Sequence, residues 1–480
     1  MDDQHRGDCL GVAGNPAAHT PHLDRLATEG ACFRQVYSST PSCTPARAAL
    51  LTGMSPWNHG MLGYSQVAEK YPVEMPRLLR DAGYYTLGIG KMHYTPQRNL
   101  HGFHETILDE SGRRFSADFR SDYRAWFQSV APTRDPDLTG ISFNSYRAAP
   151  FALPEELHPT RWTGDVAASF LEHYSAAAPF FLKVSFARPH SPYDPPQRWF
   201  DHYADKPLPK RVVGDWAAKY APRSDESEDL WHGDLGEAQV RTSRQGYYGS
   251  VSFVDEQVGR LLEILERRGM LEDTLIIFCS DHGDMTGDHH LWRKSYAYDA
   301  SARVPLLMRC PKGLCDDMRG RSFDAPVELR DILPTFLDAA GGLEAPRPLD
   351  GRSLLDLTRG RGEKWREWID LEHDICYDKQ NHWSALTDGR VKYIYHAFDG
   401  TEQLFDLAQD PQELRDLAGD PAHADTLRLW RGRLAEHLAP RGEDWVRNGA
   451  PIPRPKSILL SPSYPTDAKM DPIKGIRGTK

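Results

Sequence analysis

The sequence predicts an α/β fold, in which a large mixed, mainly parallel sheet is sandwiched by helices and followed by a smaller C-terminal α+β domain. Segments that are apolar on both faces recur at 84–88, 179–186, 274–279 and 304–308. Helical patterns separate them, which is typical of a parallel sheet covered on both sides. Beyond Gly362 the pattern changes to short strands with Asp-Gly turns. We therefore predict one domain over residues 1–362 and a second over 363–480.

Helices and strands alternate in the predicted first domain. Residues 75–81 form a helical pattern that Gly83 ends, directly before the 84–88 strand. A longer helix is predicted over about 247–268, because valines and leucines recur there at helical spacing. Gly269 separates this helix from the continuous apolar strand at 274–279.

The predicted second domain combines a small antiparallel sheet with one helix. Its strands are predicted at 384–387, 391–395 and 402–407, and its helix lies near 424–437. From Ala450 the chain is rich in proline, which lacks the N–H that helices and sheets require. We expect this tail to lie extended over the surface.

The composition excludes several classes of function. Hydrophobic residues make up 40% of the 480 residues and charged residues 26%, as in an ordinary soluble enzyme. The net charge of -10 disfavours a nucleic-acid partner, since phosphate binding needs a clustered basic surface. No apolar run approaches the length of a membrane helix, so no membrane partner is expected. The seven cysteines form no paired CxxC pattern, and we expect neither a zinc cage nor a disulfide scaffold.

Polar side chains follow the predicted strands of the first domain at the points where those strands end. In chain order these groups are Lys91 with His93, His190, and Asp281 with His282. Asp2 and Asp3 stand where a strand before them would end. Ligands of such sheets bind beyond the carboxyl ends of the strands, so we expect these side chains to form one site.

The segment from Cys43 to Arg47 has the character of an anion-binding helix start. Pro45 suits the first turn of a helix, and Gly53 can end that helix. Cys43 would then lie just before the helix N-terminus, where free N–H groups favour an anion. The planar guanidinium of Arg47 suits a tetrahedral oxyanion. From this segment alone, an ordinary helix with a buried thiol explains the sequence equally well.

Four segments together resemble the type I, formylglycine-dependent sulfatases of the alkaline phosphatase-like superfamily. Cys43–Arg47 resembles the family's Cys-x-Pro-x-Arg signature, and Gly83–His93 resembles its second signature. The later matching blocks are Ser280–His289, followed by Lys294 and Arg303–Pro305, and then Leu404–Pro411. The resemblance implies an arylsulfatase-like sulfuric ester hydrolase that cleaves sulfate monoesters.

The resemblance also implies the site residues and cofactors. A formylglycine-generating maturation enzyme would oxidise Cys43 to formylglycine, whose hydrate is the nucleophile. One divalent cation, Ca²⁺, would be held by Asp2, Asp3, Cys43, Asp281 and His282. The implied catalytic residues are Cys43, Arg47, Lys91, His93, His190 and Lys294. Carboxylate oxygens are the ligands that a hard ion such as calcium prefers.

Each implied catalytic side chain has a chemical role. Arg47, Lys91 and Lys294, with the cation, would neutralise the anionic sulfate ester. His190 with Lys294 would protonate the leaving group, and His93 would accept a proton from the second hydroxyl of the hydrate. Five other histidines are interpreted as surface or capping groups, namely His5, His19, His22, His59 and His101.

The N-terminus differs from the family pattern. Sulfatase-like proteins have a buried strand directly before the aspartate pair, whereas here Met1 precedes Asp2. We expect this first strand to be absent and the aspartates to be held less firmly, as in a version that starts at an internal methionine. Neither the localisation nor the oligomeric state is predicted.

The substrate is predicted only as an aryl or carbohydrate sulfate. Residues 104–178, 200–245 and 373–383 match no shared pattern, and we expect them to wall the leaving-group pocket. Four side chains suit either a sugar face or simple packing between the domains, namely His373, Tyr377, His382 and Trp383.

Two other functions stay open at this stage. The first is a phosphonate monoester or phosphodiester hydrolase of the same superfamily. Such relatives typically lack the Lys-x-His pair and have glutamine as the second acid, so Asp3, Lys91 and His93 favour sulfate. The second is a non-catalytic homologue that binds sulfated ligands, which the missing first strand favours.

Overall fold

The computed structural model describes residues 1–113, 118–360 and 365–465. Its helices are α1 (Pro21–Thr28), α2 (Cys43–Thr52), α3 (Pro56–His59), α4 (Met75–Asp81), α5 (Asp122–Val130), α6 (Pro159–His173), α7 (Gln197–His202), α8 (Gly236–Arg267), α9 (Asp299–Ala302), α10 (Ile332–Ala339), α11 (Leu354–Thr358) and α12 (Ala424–Leu438). Its strands are β1 (Ala31–Phe33), β2 (Val36–Tyr37), β3 (Tyr85–Gly90), β4 (Glu105–Leu108), β5 (Phe180–Ser185), β6 (Ile276–Cys279), β7 (Leu306–Arg309), β8 (Arg321–Phe323), β9 (Val327–Glu328), β10 (Ile369–His373), β11 (Trp383–Thr387), β12 (Val391–His396), β13 (Glu402–Asp406), β14 (Val446–Arg447) and β15 (Ala450–Pro451). Each helix among the described residues is too short or too polar to cross a membrane.

The strands of the N-terminal part form a mixed, mainly parallel sheet system, as predicted. β3 pairs in parallel with both β4 and β5, and the short strands β2 and β9 also pair in parallel. β1 pairs in parallel with β8 but antiparallel with β7, which pairs antiparallel with β6. Buried apolar clusters lie where helices such as α1, α2, α8 and α10 pack against these strands.

The strand predicted at 304–308 occurs at Leu306–Arg309, but it runs against its neighbours rather than with them. A parallel connection needs a crossover element of a dozen or more residues, usually a helix. The segment between Cys279 and Leu306 contains only short helical turns, the longest being Asp299–Ala302. The chain therefore returns beside β6 as an antiparallel strand.

Helix α8 begins eleven residues before the predicted position, at Gly236 instead of 247. Its first turns are polar, so they carry no apolar periodicity for the sequence to reveal. Ser243 is buried there because its hydroxyl donates to the Tyr146 carbonyl oxygen. Arg244 is buried because its guanidinium donates to Asp288 at 2.7 Å.

One disulfide occurs among the described cysteines, which the sequence did not predict. It joins Cys310 to Cys315, with the two Cα atoms 6.0 Å apart. The two residues are five positions apart and follow β7, so the bond closes a short loop and forms no scaffold. The other five cysteines are buried and free.

Residues 1–3 lie between β5 and β6, at the carboxyl ends of both strands. The Met1 ammonium donates a hydrogen bond to the Val184 carbonyl oxygen at 2.8 Å. The Asp2 N–H donates to the Cys279 carbonyl oxygen at 3.1 Å. This pairing sets both aspartates at the same sheet edge as the residues that follow β3, β5 and β6.

An apolar cavity of about 700 Å³ separates β5 from β6 below Met1. We call it the strand slot, and its walls include Phe180 and Leu182 of β5 and Ile276 and Phe278 of β6. β5 pairs only with β3, and β6 only with β7, in the part of the chain that the structure describes. The slot therefore has the shape and polarity that suit one further extended apolar strand.

The C-terminal part contains an antiparallel sheet of order β10-β11-β12-β13, as the sequence predicted. α12 packs on it through Trp430, Leu434 and Leu438. The predicted domain boundary at residues 362–363 falls outside the described residues. After β15 the tail pairs with the N-terminal part at Met61 and Leu460, and its last predicted segment, 466–480, also lies outside them.

We predict that five apolar, β-branched residues placed before Met1 stabilise the fold by filling the strand slot. Burying two or three such side chains is expected to raise the melting temperature by about 5 °C. A Gly-Ser extension of equal length is the control. It likewise replaces the buried Met1 ammonium, whose pKa is lowered by burial, with a peptide bond, but it adds no apolar side chains. Equal melting temperatures for the two extensions would refute the prediction.

Candidate active site

Cys43 is the first residue of helix α2, within one position of its predicted place. Ser42 before it is extended, and Gly53 ends the helix in the left-handed conformation with its N–H on the Ala49 carbonyl oxygen at 2.8 Å. Every residue of α2 is buried. Cys43 therefore lies where the free N–H groups and the dipole of the helix favour negative charge.

Arg47 lies one turn into α2, and its side chain is fully buried. Its Nε donates to Asp281 and its Nη2 to Asp3, both at 2.9 Å. Its Nη1 donates to the Lys91 carbonyl oxygen at 2.5 Å and to the Ser185 hydroxyl at 3.0 Å. Four of its five N–H groups thus bind protein, so Arg47 holds the acidic residues in place and presents little of its fork to a substrate.

Four of the five predicted metal ligands come together around one point. Suitable atoms of Asp3, Cys43, Asp281 and His282 all lie within 4.8 Å of one another, and all four residues are buried. Asp2 lies outside this group, with its Oδ2 2.7 Å from the Nδ1 of His5.

The donor set fits a divalent cation. Asp2 Oδ1 and Asp3 Oδ1 are buried and have no hydrogen-bond partner among the described residues. Buried carboxylate oxygens without a partner are costly, and an ion would satisfy them. His282 Nδ1 donates to the Gly283 carbonyl oxygen at 2.9 Å, so its Nε2 faces Cys43 Sγ at 3.2 Å and is free to coordinate.

The charges around Cys43 favour anions. Burial opposes ionisation of this thiol, but Lys294, Lys91 and His282 hold its pKa well below the usual range. Lys91 Nζ lies 3.6 Å from the sulfur and also bonds to Asp3. A cysteine whose pKa is lowered in this way loses its proton more readily, and Lys91 and Lys294 would also attract an anionic substrate.

The loop after β3 places Lys91 and His93 through Glu110. One Glu110 carboxylate oxygen accepts the N–H groups of Met92 and His93, both at 2.9 Å. His93 has a φ of 61°, a left-handed conformation that this carboxylate stabilises. Burial lowers the pKa of His93 to about 3, so the ring is neutral.

His190 is held as a neutral acceptor between two cations. Its Nδ1 donates to the Ser191 carbonyl oxygen at 2.9 Å, which leaves the lone pair on Nε2. Lys294 Nζ donates to that Nε2 at 2.6 Å, and Arg113 Nη2 donates to it at 3.2 Å. Burial and the charge of Lys294 lower the pKa of His190 well below its usual value.

The structure also assigns positions to residues that sequence reasoning passed over. Gln4 accepts from Lys294 Nζ at 2.8 Å and donates to Asp284. His5, interpreted from sequence as a surface or capping group, is instead buried against Asp2, and His59 and His101 are buried too. A single histidine or glutamine belongs to no spacing pattern. Only their position directly after Asp2 and Asp3 could have indicated a role for Gln4 and His5.

Of the four side chains for which the sequence left a sugar face or simple packing open, three are buried and one is partly exposed. His373 and Trp383 are buried, and His373 Nε2 accepts from the Ser42 hydroxyl before α2 at 2.9 Å. His382 is also buried. Tyr377 is partly exposed and stacks on Trp231, with ring centroids 6.1 Å apart.

Comparison with known proteins agrees with this geometry. The family described as "Sulfatase" matches residues 1–343, which is most of the chain. The chain belongs to the sulfatase family. The family described as "N-sulphoglucosamine sulphohydrolase, C-terminal" matches residues 287–439. The sulfatase fold of the alkaline phosphatase-like superfamily predicted from the sequence is thus confirmed.

The similar proteins include two sulfatases and a phosphonate monoester hydrolase. An arylsulfatase of Clostridium perfringens is 39% identical to this sulfatase over 93% of this chain and 95% of that protein. A choline-sulfatase of Rhizobium meliloti is 34% identical over 91% of this chain and 85% of that protein. The crystal structure of the phosphonate monoester hydrolase of Agrobacterium radiobacter has a TM-score of 0.78 and 26% identity, covering 95% of this chain and 98% of the other.

We predict that Glu110→Ala lowers kcat/KM for a sulfate ester at least about tenfold. Loss of the carboxylate leaves two buried N–H groups without an acceptor, which costs about 1–3 kcal/mol and loosens Lys91 and His93. Activity and urea unfolding are measured together. Glu105→Ala, at an exposed position of β4, is the matched control. Unchanged kcat/KM in the Glu110 variant would contradict a positioning role.

Proposed function

We propose that this sulfatase hydrolyses aryl or carbohydrate sulfate monoesters at a formylglycine formed from Cys43, next to a calcium ion. One observation carries the proposal. Cys43 lies at a buried helix N-terminus among two carboxylates and a histidine suited to a cation, with Lys91 and Lys294 beside them. A sulfate ester is anionic, and these groups provide the positive field that it needs.

Two groups that the chain does not encode complete this chemistry. Hydrated formylglycine would supply one hydroxyl that attacks sulfur and a second whose deprotonation releases sulfate. Calcium would supply positive charge beside the sulfate oxygens, held by Asp3, Asp281, His282 and residue 43, with Asp2 adjacent.

Lys294 is the group that we propose as the proton donor to the leaving oxygen. His190 Nδ1–H is bound to a carbonyl oxygen and its Nε2 accepts from Lys294, so the mobile proton resides on the ammonium. Burial lowers the pKa of Lys294, which makes it a stronger acid. His190 then orients Lys294 and receives no proton itself, a division of roles that refines the one expected from the sequence.

His93 is proposed as the base for the second hydroxyl. The ring is neutral, as its lowered pKa requires, and Glu110 fixes the backbone at that position. A neutral imidazole accepts one proton and later returns it to water, as a turnover cycle demands.

We predict that the tryptic peptide spanning residues 35–47 carries an aldehyde when the chain is expressed with a formylglycine-generating enzyme. Mass spectrometry measures the exchange of the thiol for the aldehyde. The same preparation is expected to hydrolyse 4-nitrophenyl sulfate, whereas Cys43→Ala is expected to be inactive.

An unmodified thiol despite active maturation would refute the formylglycine proposal and favour a non-catalytic role in binding sulfated ligands. Cys279→Ala is the matched control, because that cysteine is also buried but lies outside the proposed ligand set.

A phosphonate monoester or phosphodiester hydrolase is the second candidate. The similarity to solved phosphonate monoester hydrolases favours it, with TM-scores of 0.78 and 0.76 at 26% and 28% identity. Asp3, Lys91 and His93 favour a sulfatase, because phosphonate and phosphodiester hydrolases of the superfamily typically have glutamine as the second acid and lack the Lys-x-His pair. The two functions are distinguished by comparing kcat/KM of the matured enzyme for an aryl sulfate and for an aryl phosphodiester.

Calcium is predicted to stabilise the protein, and Asp281→Asn to remove that effect. An ion bound only by the folded state raises the free energy of unfolding by about 2.7 kcal/mol at one hundred times Kd, so the melting temperature rises with its concentration. Thermal unfolding is followed in chelator and in a calcium series. Asp324→Asn, at an exposed carboxylate on the surface, is the control. Identical calcium responses of Asp281→Asn and the parent would contradict the assigned ligand set.

A further inference from the structure

Arg113 is a guanidinium that the proposed mechanism does not use. It lies in the loop after β4, where its N–H donates to the Glu110 carbonyl oxygen at 3.0 Å and its own carbonyl accepts from Gln97 at 3.1 Å. Its Nη2 donates to His190 Nε2 at 3.2 Å, and the residue is partly exposed. The side chain therefore reaches from a partly exposed position to His190 at the proposed site.

The charge of Arg113 has no partner of opposite sign. Its Nη1 is buried and makes no hydrogen bond, and no carboxylate pairs with it, in residues 1–113, 118–360 and 365–465. Two buried arginines near the site are paired with carboxylates, whereas Arg293, next to Lys294, donates to the Asp229 carbonyl oxygen at 2.8 Å and lies over the Tyr377 ring. Arg47 binds Asp3 and Asp281, and Arg188 binds Asp194 at 2.8 Å.

The site holds more positive charge on this side than a single sulfate requires. Lys294 and Arg113 both donate to the one lone pair of His190, so neither cation is well satisfied there. A sulfate monoester brings one negative charge, which Lys91, Lys294 and the proposed cation already meet. The fork of Arg113 is left for a second oxyanion, which it can bind in a bidentate manner.

The position of Arg113 also says which part of the substrate it meets. Lys294 is the proposed donor to the leaving oxygen, and His190 joins Lys294 to Arg113. Arg113 thus lies on the alcohol side of the scissile bond. We propose that Arg113 is a specificity-determining residue that binds a carboxylate or a second sulfate on the alcohol part, next to the leaving oxygen, so that doubly anionic sulfate esters are preferred.

The test, which rests on the proposed sulfatase function, compares four esters whose leaving groups share a chromogenic 4-nitrophenol core. They are 4-nitrophenyl sulfate, its derivative with a carboxylate ortho to the sulfate, the methyl ester of that derivative, and 4-nitrocatechol disulfate. The methyl ester has the bulk of the carboxylate without its charge. Comparing the ortho-carboxylate with the disulfate shows whether Arg113 binds a carboxylate, a second sulfate or both.

The matured parent is expected to have a lower KM for one or both doubly anionic esters than for the methyl ester. Arg113→Met is expected to reduce this KM ratio by roughly tenfold or more, the effect of losing a charged hydrogen bond. The loss should fall on KM rather than kcat, because the second anion is bound equally in the ground and transition states. Arg113→Lys should restore part of the ratio, and Arg120→Met, at an exposed arginine nearby, should leave it unchanged.

Binding to Cys43→Ala, measured by calorimetry, keeps the two hypotheses distinguishable. If no ester is hydrolysed but doubly anionic esters bind more tightly and Arg113→Met abolishes the difference, the proposed function fails and the binding role stands. A parent without preference for the doubly anionic esters, or an Arg113→Met variant that weakens all four equally, would overturn the inference.

Discussion

The buried guanidinium of Arg47 is the contact on which the rest of the site depends. It joins four separate parts of the chain, through Asp3, Asp281, the Lys91 carbonyl oxygen and the Ser185 hydroxyl. Removing one partner of a buried ion pair typically costs about 3–5 kcal/mol, because the charge left behind has no water. The role expected for Arg47 from the sequence, neutralising the sulfate ester, is therefore secondary to its contacts within the protein. It fixes the carboxylates to which a cation would bind.

Charge balance explains how the remaining groups divide their roles. Asp3 is kept ionised against burial and the nearby Cys43 by the positive charges of Lys91 and Arg47, which lower its pKa. Hydrogen bonds to backbone carbonyl oxygens fix the tautomer of His190 and also that of His282, which lies with Asp3 among the candidate metal ligands. One histidine thereby offers a lone pair to Lys294 and the other offers one to a metal ion. The reactive residue lies between a side built for a cation and a side built for an anion.

The first three residues connect the fold to this chemistry. Met1 and Asp2 pair with the carboxyl ends of β5 and β6, so the backbone that carries both aspartates is held by the sheet itself. Below them the strand slot leaves the two strands unsupported along most of their length. The sheet thus holds the backbone of Asp2 and Asp3, and contacts with His5, Lys91 and Arg47 hold their side chains.

The sequence by itself determined the α/β class, the helix that starts at Cys43, and the residue types at the strand ends. These features follow from local spacing and from the rule that parallel strands gather their carboxyl ends at one edge. Only the tertiary structure decided the direction of β7, the burial of His5, and the contacts of Glu110 and Arg113. Buried polar groups often form hydrogen bonds with residues far away in the chain, as Arg113 does with His190. Such pairs produce no periodic pattern in the sequence.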